Sequence, residues 1–198
     1  DTITPGYAGA VAASIAHGFT PIERLAGGRA AVFHTGTLAF AWAIPTPDPR
    51  AGVTARFSEI TTLLTTALRS LGVDAHVGEI PGEYCPGAYS IHADHRVKLV
   101  GVGQRLVRGG AHVGGVISVS DGRRIREVLE PVYRALGLDW LPSTAGAIDD
   151  FVQDVSVDAV QSAVIQAFSE RFELDRAPMP NEIVRAGLEL APSHISPS

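Results

Sequence analysis

Two β-forming runs separated by Gly109-Gly110 constrain the fold of this chain more than any other feature. The runs cover residues 97–107 and 112–119, and a glycine pair between two such runs is typical of a β-hairpin turn. Helical patterns with apolar residues three or four apart lie on both sides of the hairpin, at 55–71 and 122–136. Because hairpins are interleaved with helices, in place of a regular β-α-β order, the sequence predicts an α+β fold with a mixed, largely antiparallel sheet and packed helices.

The remaining elements and the domain organisation follow from the same patterns. The chain has 198 residues, which is enough for one domain with a sizeable core. We expect a single domain over residues 1–190 and a loosely held tail over residues 191–198. The other predicted elements are helices at 7–17 and 157–172 and strands at 29–33, 37–44, within 73–81 and at 89–92.

Composition narrows the classes of function. The net charge of −5 disfavours a broad nucleic-acid-binding surface, and the single cysteine excludes an internal disulfide and a cysteine-rich zinc site. No apolar run is long enough to span a bilayer and no signal-peptide pattern is found, so we expect a cytoplasmic protein without a membrane partner. His92 and His95 lie in a predicted turn without an evident third ligand, so we expect no metal site.

The first candidate site segment is RLAGGRAAVFHTG, from Arg24 to Gly36. Gly27-Gly28 lets the backbone approach a ligand closely, and exposed amide groups there can hold a phosphate or a carboxylate. Arg24 and Arg29 flank the pair. The alternative interpretation is a plain glycine turn between a loop and a strand.

The second candidate segment contains Cys85 and Lys98. A lysine inside an apolar strand is costly unless it points into a cleft or into water, and Gly101 and Gly103 leave room for an apolar ligand beside it. Cys85 lies in a Pro/Gly loop, and a thiolate can carry an acyl group when a base or a cation assists it. The alternatives are a lysine on the exposed face of a hairpin and a buried, inert thiol.

The two segments together resemble the lipoate/octanoate–protein ligase and transferase superfamily, whose catalytic domain is shared with biotin–protein ligases. The family's first motif is an arginine, a Gly-Gly pair, small apolar residues and a histidine. Its second motif is a lysine three residues before a glycine, followed by a small residue and often a glutamine. The matching residues are Arg24, Gly27, Gly28, Ala30, Val32 and His34, then Lys98, Gly101, Gly103 and Gln104. Both motifs occur in the family's order, and the resemblance covers about residues 5–140.

The resemblance implies a mechanism. In that family a small acid lies with its tail in an apolar tunnel, and the lysine binds the acyl carbonyl or the phosphate of an acyl-adenylate. Such donors stabilise the oxyanion as a target lysine attacks. Carried over, Lys98 orients the electrophile, and Arg24, Gly27 and Gly28 wall the pocket. The other substrate-binding residues implied are Ala30, His34, Gly101, Gly103 and Gln104.

Cys85 separates two mechanisms within the family. One type of octanoyltransferase places its nucleophilic cysteine in a Pro-Cys-Gly run after the second hairpin, where this chain has Glu130-Pro131-Val132. Another group carries its cysteine upstream of the lysine, as Cys85 lies here, although the spacing to Lys98 differs. The family's opening strand and the C-terminal accessory domain of many lipoate ligases are not recognisable in this chain.

The resemblance implies a lipoate–protein ligase-like enzyme that attaches a lipoyl or octanoyl group to a lysine of an acceptor carrier domain. A ligase would use ATP with Mg²⁺ and take lipoate or octanoate as its substrate. The first alternative is a cysteine-linked acyltransferase that works through Cys85, with an acyl carrier protein or a separate accessory domain as a further partner. The second is a family member that binds an acyl ligand or a partner without catalysis. Basic residues at 105–108 and 123–126 are a candidate docking surface for an acidic carrier domain.

Overall fold

The computed structural model describes residues 2–197 and shows a five-stranded sheet with five α-helices. The strands are β1 Thr37–Pro45, β2 Ala75–Val77, β3 Ile91–Ala93, β4 Val97–Val107 and β5 Gly110–Ser118. Their order across the sheet is β1-β5-β4-β3-β2, and every neighbouring pair is antiparallel. The predicted fold class, α+β with a largely antiparallel sheet, is therefore confirmed.

Four of the five helices lie close to their predicted positions, whereas the fifth, α5, was not predicted. They are α1 Tyr7–Ala16, α2 Val53–Ser70, α3 Gly122–Leu136, α4 Val157–Ser169 and α5 Asn181–His194, with single 3₁₀ turns at Pro142–Thr144 and Ile148–Asp150. Helix α3 begins after Asp121, whose carboxylate accepts a hydrogen bond from the Arg124 N–H, and it ends at Gly137 in the left-handed conformation. These are the capping residues that favour a helix at these positions. Pro131 lies inside α3, which continues as one helix on both sides of it.

The β4–β5 hairpin forms as predicted, with its turn one residue earlier than the glycine pair. Val107 pairs with Gly110, so Arg108 and Gly109 make the turn, and Gly109 adopts a φ of +79°. A residue without a β-carbon takes this conformation at no steric cost. Lys98 is the second residue of β4, so the hairpin fixes its position in the sheet.

The predicted strand at 29–33 is wrong, because this segment is a loop. Its backbone groups form hydrogen bonds with side chains from other parts of the molecule and not with a neighbouring strand. The Arg29 N–H donates to the Cys85 Sγ at 3.1 Å, and the Ala30 carbonyl accepts from the Tyr133 hydroxyl at 3.0 Å. These contacts override the β propensity of the short apolar run.

The core has two parts. The first packs the sheet against α2 and α4, with buried residues including Ile60, Leu64, Leu99, Val113 and Ile117. The second packs α1 against α3 and contains residues of the two candidate loops, including Ala10, Val32, Tyr84, Leu129 and Tyr133. The loop that contains Tyr84 and Cys85 therefore lies between β4, which supplies Lys98, and α3, which supplies Tyr133.

The C-terminal segment continues the last helix and then contacts the loop before the first motif. Residues 191–194 belong to α5, and residues 194–196 pair with residues 21–23: the Glu23 N–H donates to the His194 carbonyl at 2.7 Å and the Ser196 N–H to the Pro21 carbonyl at 3.0 Å. None of the α5 side chains is buried, and all except that of the half-buried His194 are exposed. The division of the chain at residue 190 remains a prediction. Within residues 2–197, no helix combines the length and the apolar character needed to cross a membrane.

Candidate active site around Cys85 and Lys98

Lys98 is buried, with 1% of its surface exposed, and it is the only lysine in the chain. Its Nζ donates to the Glu83 Oε1 at 3.1 Å, to the Tyr84 carbonyl at 3.0 Å and to the Cys85 carbonyl at 2.6 Å. An ammonium group has three hydrogens, so each has an acceptor. The alternative of a lysine on the exposed face of the hairpin is therefore wrong, and Lys98 fixes the loop that carries the thiol.

Glu83 is the counter-ion of Lys98, and it was not among the predicted site residues. Its carboxylate is buried and also accepts from the Ser90 hydroxyl at 2.6 Å, the Gly87 N–H at 3.1 Å and the Ile80 N–H at 3.3 Å. The loop thus folds around one carboxylate. A buried ammonium needs a carboxylate partner, so a buried Lys98 would have directed attention to the acidic residues of the neighbouring loop.

Cys85 is held by both of its backbone groups. Its N–H donates to the Tyr133 hydroxyl at 2.8 Å, and its carbonyl accepts from Lys98. The residue adopts a φ of +45°, which is uncommon for a residue with a side chain. The half-buried Sγ accepts a hydrogen bond from the Arg29 N–H at 3.1 Å. The thiol is therefore directed at the first motif.

Gly28 has no room for a side chain between that thiol and Arg24. It adopts a φ of +105°, and a β-carbon there would lie 2.8 Å from the Arg24 Nη2 and 3.0 Å from the Cys85 Sγ. Arg24 keeps its place by donating to the carbonyls of Gly27 and Arg29. The structure thus brings the Arg24–Gly28 segment and Cys85 together, although they lie far apart in the sequence.

The glycines of β4 lie beside the same site. A β-carbon on Gly101 would lie 3.7 Å from the Lys98 Cε, and one on Gly103 would lie 3.5 Å from the Gly27 carbonyl oxygen. Ala30 contributes the carbonyl that accepts from the Tyr133 hydroxyl. Its proposed contact with a substrate remains a prediction.

His34 and Gln104 make contacts elsewhere. The His34 Nδ1 accepts from the Gly36 N–H at 3.1 Å in the turn that leads into β1, and burial lowers the pKa of the imidazole. Gln104 accepts from the Arg56 Nε at 3.0 Å and donates to the Val53 carbonyl at 2.8 Å, at the start of α2. Neither has a hydrogen bond to Cys85 or Lys98 among the described residues, and their roles in substrate binding remain predictions.

Two buried tyrosines complete the surroundings of the thiol. Burial raises the pKa of Tyr84 and of Tyr133 well above the ordinary value, so both hydroxyls stay protonated at neutral pH. The Lys98 Nζ lies 5.0 Å from the centre of the Tyr84 ring, a distance at which an ammonium is attracted to the ring face.

A separate cluster of histidines lies at the β2 edge of the sheet. The ring centres of His76 and His95 are 4.2 Å apart, those of His92 and His95 are 5.0 Å apart, and the three rings border a cleft of about 520 Å³. The described residues contain no group of three or more His, Cys, Asp or Glu side chains that could hold a metal ion.

The geometry around Cys85 fits a nucleophile. The thiol is partly accessible, it receives one backbone N–H, and the loop that bears it is fixed by a buried ion pair and by a buried hydroxyl. A cysteine nucleophile has to be accessible and held in a fixed position, and Cys85 meets both conditions.

Comparison with known proteins identifies relatives. The family described as the lipoyl protein ligase A/B catalytic domain matches residues 9–169. The octanoyl-[GcvH]:protein N-octanoyltransferase of Geobacillus kaustophilus is 29% identical over 137 residues, which cover 69% of this chain and 48% of the relative. The enzyme of the same name from Exiguobacterium sibiricum is 28% identical over 171 residues, covering 80% and 60%. The chain spans about half the length of the curated relatives that it matches.

Solved structures share the fold. A lipoate-protein ligase A bound with ATP superposes with a TM-score of 0.73 at 20% identity, covering 92% of this chain and 71% of that one. The bipartite lipoate protein ligase of Thermoplasma acidophilum, described with its E2 lipoyl domain, gives a TM-score of 0.69 at 19% identity, covering 92% and 70%. At these identities the likeness establishes the fold.

Proposed function

The chain belongs to the lipoyl protein ligase A/B catalytic-domain family, as its motifs predicted, and we propose that it is an acyltransferase that carries an octanoyl or lipoyl group as a thioester on Cys85. The resemblance of the two motifs implied an ATP-dependent ligase first, with this mechanism as the first alternative. The observation that carries the proposal is the Cys85 thiol, which is half-buried, receives the Arg29 N–H at 3.1 Å and faces Gly28.

The contacts of Lys98 favour a thioester over an adenylate. Its three hydrogens are bonded to Glu83, to Tyr84 and to Cys85 itself. To bind the phosphate of an acyl-adenylate, Lys98 would have to release the loop that holds the thiol. In a thioester mechanism the observed contacts are already useful, because they hold the nucleophile in place before the acyl group arrives.

The proposed reaction has two steps. The Cys85 thiol loses its proton as its sulfur attacks the acyl carbonyl carbon, an S–C bond forms, and the bond between the acyl group and its donor carrier breaks as the carrier leaves with that proton. A lysine amine of the acceptor then attacks the thioester, an amide forms, and the thiol is regenerated. Both steps transfer one acyl group without oxidation or reduction, and neither consumes ATP.

The partners are proposed from the relatives. Their name describes an enzyme that takes octanoyl from GcvH and places it on a nitrogen of another protein. We assign the same classes of donor and acceptor here, both being lipoyl carrier domains. Arg105 supports a docking surface near the site, because its Nη1 lies 3.4 Å from the Leu25 carbonyl of the first motif. The second predicted basic segment is less available, since Arg123 is already paired with the carboxylate of Glu127 and Arg126 is half-buried, whereas Arg105 is exposed.

Intact mass measurement tests the proposal. The protein is mixed with octanoyl-GcvH, with octanoyl-acyl carrier protein, and with free octanoate plus ATP and Mg²⁺. We expect an octanoyl adduct from a carrier donor without ATP, cleaved by hydroxylamine, and absent from Cys85→Ser. Transfer by Cys85→Ser at the parent rate would exclude the thioester. Product formed only with free octanoate and ATP would instead establish a ligase, and ligand binding without any product would establish a binding protein.

A further inference from the structure

Tyr133 bonds to both loops of the candidate site, the loop that contains Cys85 and the loop that contains Ala30. It is a residue of α3 with 1% of its surface exposed, and its hydroxyl accepts from the Cys85 N–H at 2.8 Å while donating to the Ala30 carbonyl at 3.0 Å. A hydroxyl has one hydrogen to donate, so these two bonds fix its orientation. Burial raises the pKa of Tyr133, which keeps the donated hydrogen in place at neutral pH.

The two hydrogen bonds of the Tyr133 hydroxyl hold the backbone on both sides of the contact between the Cys85 Sγ and the Arg29 N–H. Ala30 directly follows Arg29, whose N–H donates to the Cys85 Sγ. Tyr133 therefore holds the backbone nitrogen of Cys85 at one end and the residue after Arg29 at the other. The φ of +45° at Cys85 is unfavourable for a residue with a β-carbon, so external bonds have to hold it.

We infer that Tyr133 is a positioning residue for the Cys85 thiol. The Tyr133 hydroxyl sets the separation between the Cys85 sulfur and the Arg29 N–H without touching the acyl group. The inference rests on the proposed function in one respect, since it takes Cys85 as the nucleophile. It assigns Tyr133 an effect on the rate of acyl capture and none on the binding of the donor carrier. The hydroxyl, and not the ring, is the part responsible.

The test compares Tyr133→Phe with Tyr7→Phe. Tyr7 is a matched control because its hydroxyl also makes two hydrogen bonds, to Glu23 at 2.9 Å and to Ser196 at 2.6 Å, and neither partner belongs to the candidate site. Two quantities are measured for each variant: the rate of thioester formation on Cys85 over a range of octanoyl-GcvH concentrations, and the hydrogen exchange of the Cys85 amide. Selective nitrogen-15 labelling of cysteine gives a single amide signal, because the chain has one cysteine.

We expect Tyr133→Phe to lower the maximal rate of thioester formation by about tenfold or more, with an unchanged half-saturating donor concentration. The Cys85 amide should exchange at least about tenfold faster, since its acceptor is gone. Tyr7→Phe should leave the exchange rate of the Cys85 amide within about twofold of the parent. Incorporation of 4-aminophenylalanine at position 133, which restores a polar hydrogen-bonding group, should recover much of the loss.

Parent-like capture and parent-like amide exchange in Tyr133→Phe would overturn the inference, and so would equal losses in both variants. A variant that fails to fold is recognised by the fluorescence of Trp140, whose ring centre lies 5.5 Å from that of Tyr133. The aminophenylalanine variant then decides: parent-like exchange at Cys85 supports the positioning role, and fast exchange in a folded protein refutes it. If the parent forms no thioester, the proposed function fails, whereas the amide exchange still tests the bond from Tyr133.

Discussion

Replacing Lys98 by methionine should destabilise the protein strongly, because it leaves a buried carboxylate without its counter-ion. The side chains of Lys98 and Glu83 are 2% and 0% exposed and their charged atoms are 3.1 Å apart. Removing one partner of such a pair typically costs about 3–5 kcal/mol. Glu83 keeps its bonds from Ser90, Gly87 and Ile80, so we expect the lower end of the range, a loss of about 3 kcal/mol in the free energy of unfolding.

Urea denaturation measures this loss. Trp42 and Trp140 report on the two parts of the core, since Trp42 contacts Phe168 of α4 and Trp140 contacts Tyr84 beside Lys98. Both signals should shift to lower urea by the same amount if the protein unfolds in one step. Activity has to be assayed where Lys98→Met is still folded, so that a lost thioester can be separated from a lost fold.

Two further variants give the controls. Arg123→Met removes the cation of an exposed ion pair with Glu127 and should cost less than about 0.5 kcal/mol. The double variant Glu83→Gln with Lys98→Met removes both charges and should recover about 1–2 kcal/mol relative to Lys98→Met alone. A loss below about 1 kcal/mol in Lys98→Met, or no recovery in the double variant, would refute a buried ion pair as the support of this loop.

Two other perturbations follow from the structure. Gly28→Ala should lower the free energy of unfolding by about 1–2 kcal/mol and slow the alkylation of Cys85, because the new methyl group meets the thiol at a residue with a positive φ. Gly27→Ala is the control, since a β-carbon there meets nothing within 4 Å, and it should have neither effect. Equal effects of the two variants would count against the close approach of Gly28 to Cys85. Burial, followed by the nearby histidines 95 and 76, lowers the pKa of His92. The unfolded chain then binds a proton more readily than the native state, so stability should fall as the pH drops from about 6.5 through the folded-state pKa of His92. Urea titrations at about pH 7.5 and 5.5 measure how far the free energy of unfolding falls between the two. This fall should be smaller for His92→Gln than for the parent and the same as the parent's for the exposed control His17→Gln. A parent-like fall in His92→Gln would contradict the prediction.

The sequence by itself determined most of the helices and strands and the family. Helix α3 begins and ends at residues whose preferences are local, a capping aspartate and a left-handed glycine. The β4–β5 hairpin follows from alternation and from the conformational freedom of Gly109. Such signals act over a few residues and can be recognised without knowing which other elements the helix or hairpin packs against. The two motifs could likewise be recognised in order along the chain, which is why Lys98, Gly28 and Cys85 could be named as candidates.

Only the tertiary structure decided what these candidates contact. Cys85 meets Tyr133, 48 residues away, and Ala30 meets the same hydroxyl across 103 residues, so neither bond has a local signal. The same long-range bonds turn residues 29–33 into a loop, and Glu83 becomes the counter-ion of Lys98 only because burial makes an unpaired ammonium too costly. A hydrogen bond or an ion pair acquires its strength from the exclusion of water, and which groups lose water together is settled by how the elements pack.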